Sequence, residues 1–285
     1  MNDLIRDLLD HLCLERVEKD LFRGDSRDHG GKSVFGGQVL GQALMAAGRT
    51  VEGRAAHSLH AYFLRPGDIQ APILYEVDRI RDGKSFTTRR VVALQHDRPI
   101  FNMAASFQIA EQGVDHQADM PEAPSPEGLL STTELRRREA DRLPEKLRDL
   151  LTRESPIEFR PVEPVDFLEP ERRQPAQQVW MRAAGALPEE QALHQALLAY
   201  ASDFTLLNTA LLPHGLSFFQ KGVYMASLDH AMWFHRPFRM DEWLLYAMDS
   251  PNAHNCRGLG RGSIFTRDGR LIATVAQEGL IRTGA

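Results

Sequence analysis

Two polar side chains set in apolar surroundings are the first places where this sequence could do chemistry. Asp203 stands in YASDF, flanked by Leu197, Leu198, Ala199, Phe204, Leu206 and Leu207, with no Lys or Arg in the neighbouring turns. Burying an unpartnered carboxylate in such a helix is costly. Either the helix turns Asp203 outward to water, or the fold brings groups to meet it. In the second case it is a candidate general base with a perturbed pKa. Gln277, in TVAQEG, poses the same question, because Ala273, Val275 and Gly279 share its strand face. An amide there needs partners, or the water available at a sheet edge. Ser227, in ASLDH, reads by itself as an ordinary strand serine.

Other chemistries find less support. No G-x-S-x-G nucleophile elbow occurs. Gly24-Asp25-Ser26 is too short a match in a polar loop to carry a serine esterase. Gly31-Lys32-Ser33 lacks the glycine that a phosphate loop needs five places earlier, where Ser26 stands. His57 and His60 are three apart, and His230 and His235 five apart. Odd spacing on a strand sends two rings to opposite faces, so neither pair is expected to hold a metal. Trp233 and Trp243 read as core and interface residues rather than a substrate cage. Cys13 and Cys256 form no disulfide framework or thiolate site, which points to a reducing compartment. The net charge of −5 lacks the basic footprint of a nucleic-acid binder.

The elements that must position these residues follow from periodicity. Residues 2 to 14 form an amphipathic helix with Leu4, Ile5, Leu8, Leu9 and Leu12 on one stripe. That segment lacks the basic start and unbroken apolar core of a signal peptide. No apolar run reaches the roughly 20 residues of a membrane span, and the terminal RTGA differs from a peroxisomal tripeptide. The expected location is the cytoplasm. A short strand is expected over residues 17–23. A Gly- and Ala-rich helix follows in GGQVLGQALMAAGRTV, its glycines permitting close approach to a sheet. Strands are expected at 58–64, 73–81, 86–95 and 100–109, the last two as a hairpin. Residues 111–156 hold several prolines and many charges, with a helix-like run over Thr133 to Arg153 that suits a solvated face. A second long helix starts at Leu187-Pro188-Glu189-Glu190 and runs unbroken to Pro213–Gly215. Strands then come at 225–234, 242–249, 256–266 and 271–281, with a hairpin turn at Arg267-Asp268-Gly269.

The two halves are one unit written twice. Phe63, Arg65, Pro66, Tyr75, Asp97 and Ala105 recur as Phe234, Arg236, Pro237, Tyr246, Asp268 and Ala276, each 171 positions on. Helices set apart from antiparallel strands make the class α+β. The expected division is an N-terminal unit over 1–110, a linker with a surface helix over 111–158, and a C-terminal unit over 159–285.

The blocks VFGGQVLGQAL, HSLHAYFLRPGD, SFTTRRVVALQ, YASDF, SLDHAMWFHRPF, EWLLY and ATVAQEG resemble those of the acyl-CoA thioesterase II family of double hot-dog proteins. The resemblance implies two repeats, each a long helix wrapped by an antiparallel sheet. It implies hydrolysis of fatty acyl-CoA to fatty acid and coenzyme A; no cofactor and no metal are expected. Its catalytic aspartate, hydroxyl and glutamine fall on Asp203, Ser227 and Gln277. Many members carry threonine where this chain has Ser227, and serine keeps the hydroxyl. His57 and His230 each stand in a family block, so both are expected beside the site without joining the reaction. Shifted by 171, Ser227 meets Ala56 and Gln277 meets Ser106. Matching the helices by eye sets Asp203 near Gln38. None of the three functional groups recurs, so one site per chain is expected. A homo-oligomer, dimer or tetramer, is also expected from the family. Two other readings stay open: an enoyl-CoA hydratase, against which the lack of a histidine soon after Asp203 counts, and a non-catalytic acyl-CoA sensor.

Overall fold

The chain was analysed as a computed structural model that describes residues 3–143 and 145–284. Asn2 and Pro144, both inside expected helices, and Ala285 lie outside the described residues. Helix α1 (Asp3–Leu12) buries Ile5, Leu8 and Leu12 on the stripe the sequence marks. The expected strand at 17–23 is instead two short strands, β1 (Glu15–Glu18) and β2 (Leu21–Gly24), paired across a turn at Lys19 and Asp20. Helix α2 (Gly36–Gly48) leads into β3 (Ala55–Phe63), β4 (Ile73–Asp82), β5 (Phe86–Gln95) and β6 (Arg98–Gln108). The β5–β6 turn holds His96 and Asp97 at φ of 49° and 58°, the left-handed pair that a two-residue hairpin turn requires.

The charged run of the linker divides into α3 (Thr132–Arg138) and α4 (Glu145–Thr152). Ser131 and Glu134 form a capping box that starts α3. Then come β7 (Ile157–Pro161), β8 (Ala176–Ala183), α5 (Gln191–Ser202), β9 (Val223–Ser227), β10 (Asp229–Phe234), β11 (Leu244–His254), β12 (Arg257–Thr266) and β13 (Leu271–Thr283). The second long helix is shorter than its periodicity suggested. Residues 187–190 precede α5, and a turn after Ser202 gives way to a 3-10 segment, Leu207–His214, closed by Gly215 at φ 61°.

The thirteen strands of the described residues join one antiparallel sheet in the order β1-β2-β4-β5-β6-β3-β10-β13-β12-β11-β8-β7, with β9 against β13. The β3–β10 pairing joins the two halves, setting Leu59 against Met232. The repeat is faithful in the strands: adding 171 to the bounds of β5 gives those of β12. It fails in the helices, whose first residues are 155 apart (191 − 36). The second copy therefore has 16 extra residues (171 − 155) between its helix and its strands. With the helix offset, Asp203 falls on Gly48 rather than near Gln38.

The glycines of α2 approach the sister helix rather than the sheet. A Cβ on Gly37 would lie 2.4 Å from the Tyr200 carbonyl oxygen, and one on Gly41 3.0 Å from that of Ala196. The numbering shows that α2 and α5 run antiparallel. Their buried faces share one core with the inner residues of both half-sheets. No helix among the described residues is long and apolar enough to cross a membrane.

Candidate active site

Asp203 is the residue at which α5 ends. It caps the helix C-terminus at φ −82°, ψ −11°, so its side chain leaves the helix end rather than a flank. The antiparallel packing places that end at the start of α2. There Gly36 leaves room for the carboxylate, since a Cβ would sit 2.7 Å from Asp203 Oδ2. The Gly37 backbone N–H donates to the same carboxylate. A helix N-terminus is a natural place for negative charge.

Strands β9 and β13 bring the other two groups. Their register pairs Ser227 with Gly279, so Gln277, two residues along, is a diagonal neighbour on the same face. Gln277 Nε2 lies 2.5 Å from Asp203 Oδ1 and 2.8 Å from Ser227 Oγ. Ser227 Oγ donates to Asp203 Oδ1 at 3.3 Å. The three side chains close a ring in which the carboxylate only accepts. Gln277 is buried, and its Oε1 has no partner among the described residues. Asp203 and Ser227 are half-buried, so the ring has an open side. Burial raises the Asp203 carboxyl to about 6, against the lowering effect of hydrogen bonds from Gln277, Gly37 and Ser227.

His230 supports this arrangement from behind. It stands one residue before Ala231, which pairs with Ala276, and so lies across from Gln277. Its Nε2 is 3.0 Å from Ser202 Oγ. Ser202 Oγ donates to the Ala199 carbonyl, so the imidazole is the donor and Nε2 carries the proton. Burial pushes His230 down to about 3, leaving it neutral. Tyr246 donates to the Ser202 carbonyl at 3.3 Å. Ser202, one residue before Asp203, is thus held through both its side chain and its backbone.

His57 is not part of this group. A bulge between Ala56 and Ser58 interrupts the alternation there, and its ring meets Ser106 Oγ at 2.8 Å and the ring of Phe86. The parity argument that separated His57 from His60 does not survive the bulge, yet the rings have different partners, His60 packing on Trp233. His230 and His235 do face apart, His235 meeting Thr274. The Trp243 ring is met by the Arg160 and Arg182 guanidiniums, 5.1 and 4.2 Å from its centroid. In the first half, the counterparts of the ring are already engaged. Ser106 is held by His57, and the Ala56 backbone by both ends of the Gln195 amide.

Gly36, Gly37, Ser202 and Tyr246 were not singled out for the site from sequence. The available signal is the glycine pair opening a helix, which by itself points only to close packing.

With this geometry in view, comparison with known proteins is specific. A family profile described as acyl-CoA thioesterase matches residues 148–280, and one described as acyl-CoA thioesterase N-terminal domain matches residues 25–108. The chain is 44% identical to acyl-CoA thioesterase 2 of Haemophilus influenzae over 99% of each chain. The crystal structure of an acyl-CoA thioesterase II, TesB2, from Mycobacterium marinum superposes with a TM-score of 0.79 at 42% identity, covering 98% of both chains. A hot-dog protein from Alicyclobacillus acidocaldarius shares the fold at 18% identity, with a TM-score of 0.77 over 97% of this chain and 98% of its own. A double hot-dog sheet, two repeats and near full-length identity lead to one conclusion: the chain belongs to the acyl-CoA thioesterase II family, a family of thioester hydrolases.

Proposed function

We propose that the chain hydrolyses fatty acyl-CoA to a fatty acid and coenzyme A by direct attack of water, and that Asp203, Ser227 and Gln277 carry the reaction. The supporting observation is the half-open ring of hydrogen bonds around a single carboxylate. Asp203 accepts a proton as the water oxygen bonds to the thioester carbonyl carbon. Ser227 Oγ orients that water, and the buried Gln277 amide holds Ser227 and Asp203 in place around it, which is a proximity contribution. The tetrahedral intermediate collapses by breaking the C–S bond, and the departing thiolate takes up the proton held by Asp203. Residues 159–285 then carry the reacting groups, while residues 1–110 supply the helix start that seats the carboxylate. The hydratase reading loses ground, because the nearby histidine, His230, bonds to Ser202 and not to Asp203.

Release of free thiol from an acyl-CoA, followed colorimetrically, tests this. Asp203→Asn should lower kcat by about 10³ or more, and Ser227→Ala and Gln277→Ala by about 10² each, with KM moving little. Full turnover in Asp203→Asn would rule the mechanism out.

A further inference from the structure

A group of half-buried aromatic rings stands beside Asp203 and the start of α2. Phe204 follows Asp203 directly, and its ring centroid lies 4.4 Å from that of Phe35, the residue capping α2. Phe159, on β7, lies 5.4 Å from Phe204. Phe35, Phe159 and Phe204 are all half-buried, over a floor made by the buried Tyr200, 5.3 Å from Phe204. Residues 25–33 cross this group and set the His29 ring 5.3 Å from Phe35, with Nε2 buried and lacking a partner among the described residues. That loop is pinned at Gly30 (φ +84°), where any side chain would strike Leu150 of α4. The ring of Phe63 also borders the site across Gly36. Its ring neighbour among the described residues is Phe101, which is 1% exposed and belongs to the core.

We propose that Phe35, Phe204 and Phe159 form the wall along which the acyl chain lies, with Phe159 at its far end. The proposal rests on the thioesterase reading: a carbonyl held at the Asp203 ring must send its hydrocarbon chain along some apolar surface that meets the ring. This surface starts at the residue after Asp203 and keeps ring area uncovered. The linker helix α4, through Leu150, then helps close the binding site rather than merely joining the repeats.

The test is affinity for S-alkyl-CoA thioethers of graded chain length, which cannot be hydrolysed, measured by titration calorimetry. It is run beside kcat/KM for the matching acyl-CoA esters. In the wild type each added methylene should tighten binding about fourfold until the chain passes Phe159. Phe204→Ala should flatten that increment from the first carbons. Phe159→Ala, or the milder Phe159→Leu should the first be unstable, should flatten only its far end. Unchanged increments in these variants would overturn the wall, as would flattening that follows Phe63→Ala instead. Because thioether binding needs no turnover, a wild type that bound in graded fashion yet released no thiol would sink the hydrolase reading and leave the wall standing.

Discussion

Asp203 is held between opposing demands. Burial favours the neutral acid, while three donors favour the anion, and the balance leaves the carboxyl near 6. A base of that strength is ionised at neutral pH and still able to take a proton. Log kcat/KM should therefore rise with unit slope below about pH 6 and level off above it. A limb near 4 would mean that the carboxylate is solvated in the working enzyme. The same shift has a cost for the fold. The native carboxyl binds its proton more tightly than the unfolded one, with its ordinary value of 3.8. Stability from this group is thus full below about 4 and falls as pH rises toward 6.

At the scale of elements, the α2–α5 contact decides where the carboxylate goes. Gly37 both permits the close approach and supplies the N–H that meets Asp203. Gly37→Ala would drive a methyl group into the Tyr200 carbonyl, a backbone atom that cannot rotate away. It should cost about 3 kcal/mol of stability, and more activity than that loss explains. Urea midpoints and thiol release measured on the same samples check both, and an unchanged midpoint would contradict the packing. The break after Ser202 was hidden in the sequence for a related reason. LHQALLAYASDFTLLNTALL is helical by composition throughout, and the turn at 203–206 comes from tertiary contact rather than from any glycine or proline. The strands were easier to read. In β5 the side chains alternate and the following turn carries His96 and Asp97, which tolerate the left-handed region, so the bounds at 86 and 95 could be taken from pattern alone. The start of β12 was harder, because Cys256, expected in the strand, sits in the turn at φ 57°.

For the whole molecule, duplication explains both what was legible and what was not. The 171-residue offset revealed the paired half-sheets because strand register tolerates no slippage. The helices escaped it because the second copy carries 16 more residues between its helix and its strands, where a loop can absorb them. In the first copy the positions matching Ser227 and Gln277 are occupied by Ala56 and Ser106, already bonded to Gln195 and His57. Calorimetric titration with a tight-binding thioether should accordingly saturate at one equivalent per chain. Two equivalents would mean that the first copy keeps a pocket of its own.

The hydrogen bond from Gly37 to Asp203 spans both repeats, and its consequence is historical as much as chemical. A duplicated gene usually leaves one copy free to decay once the other does the work. Here the first repeat lends an amide to a carboxylate of the second, so neither is free to be deleted or to drift far without the other.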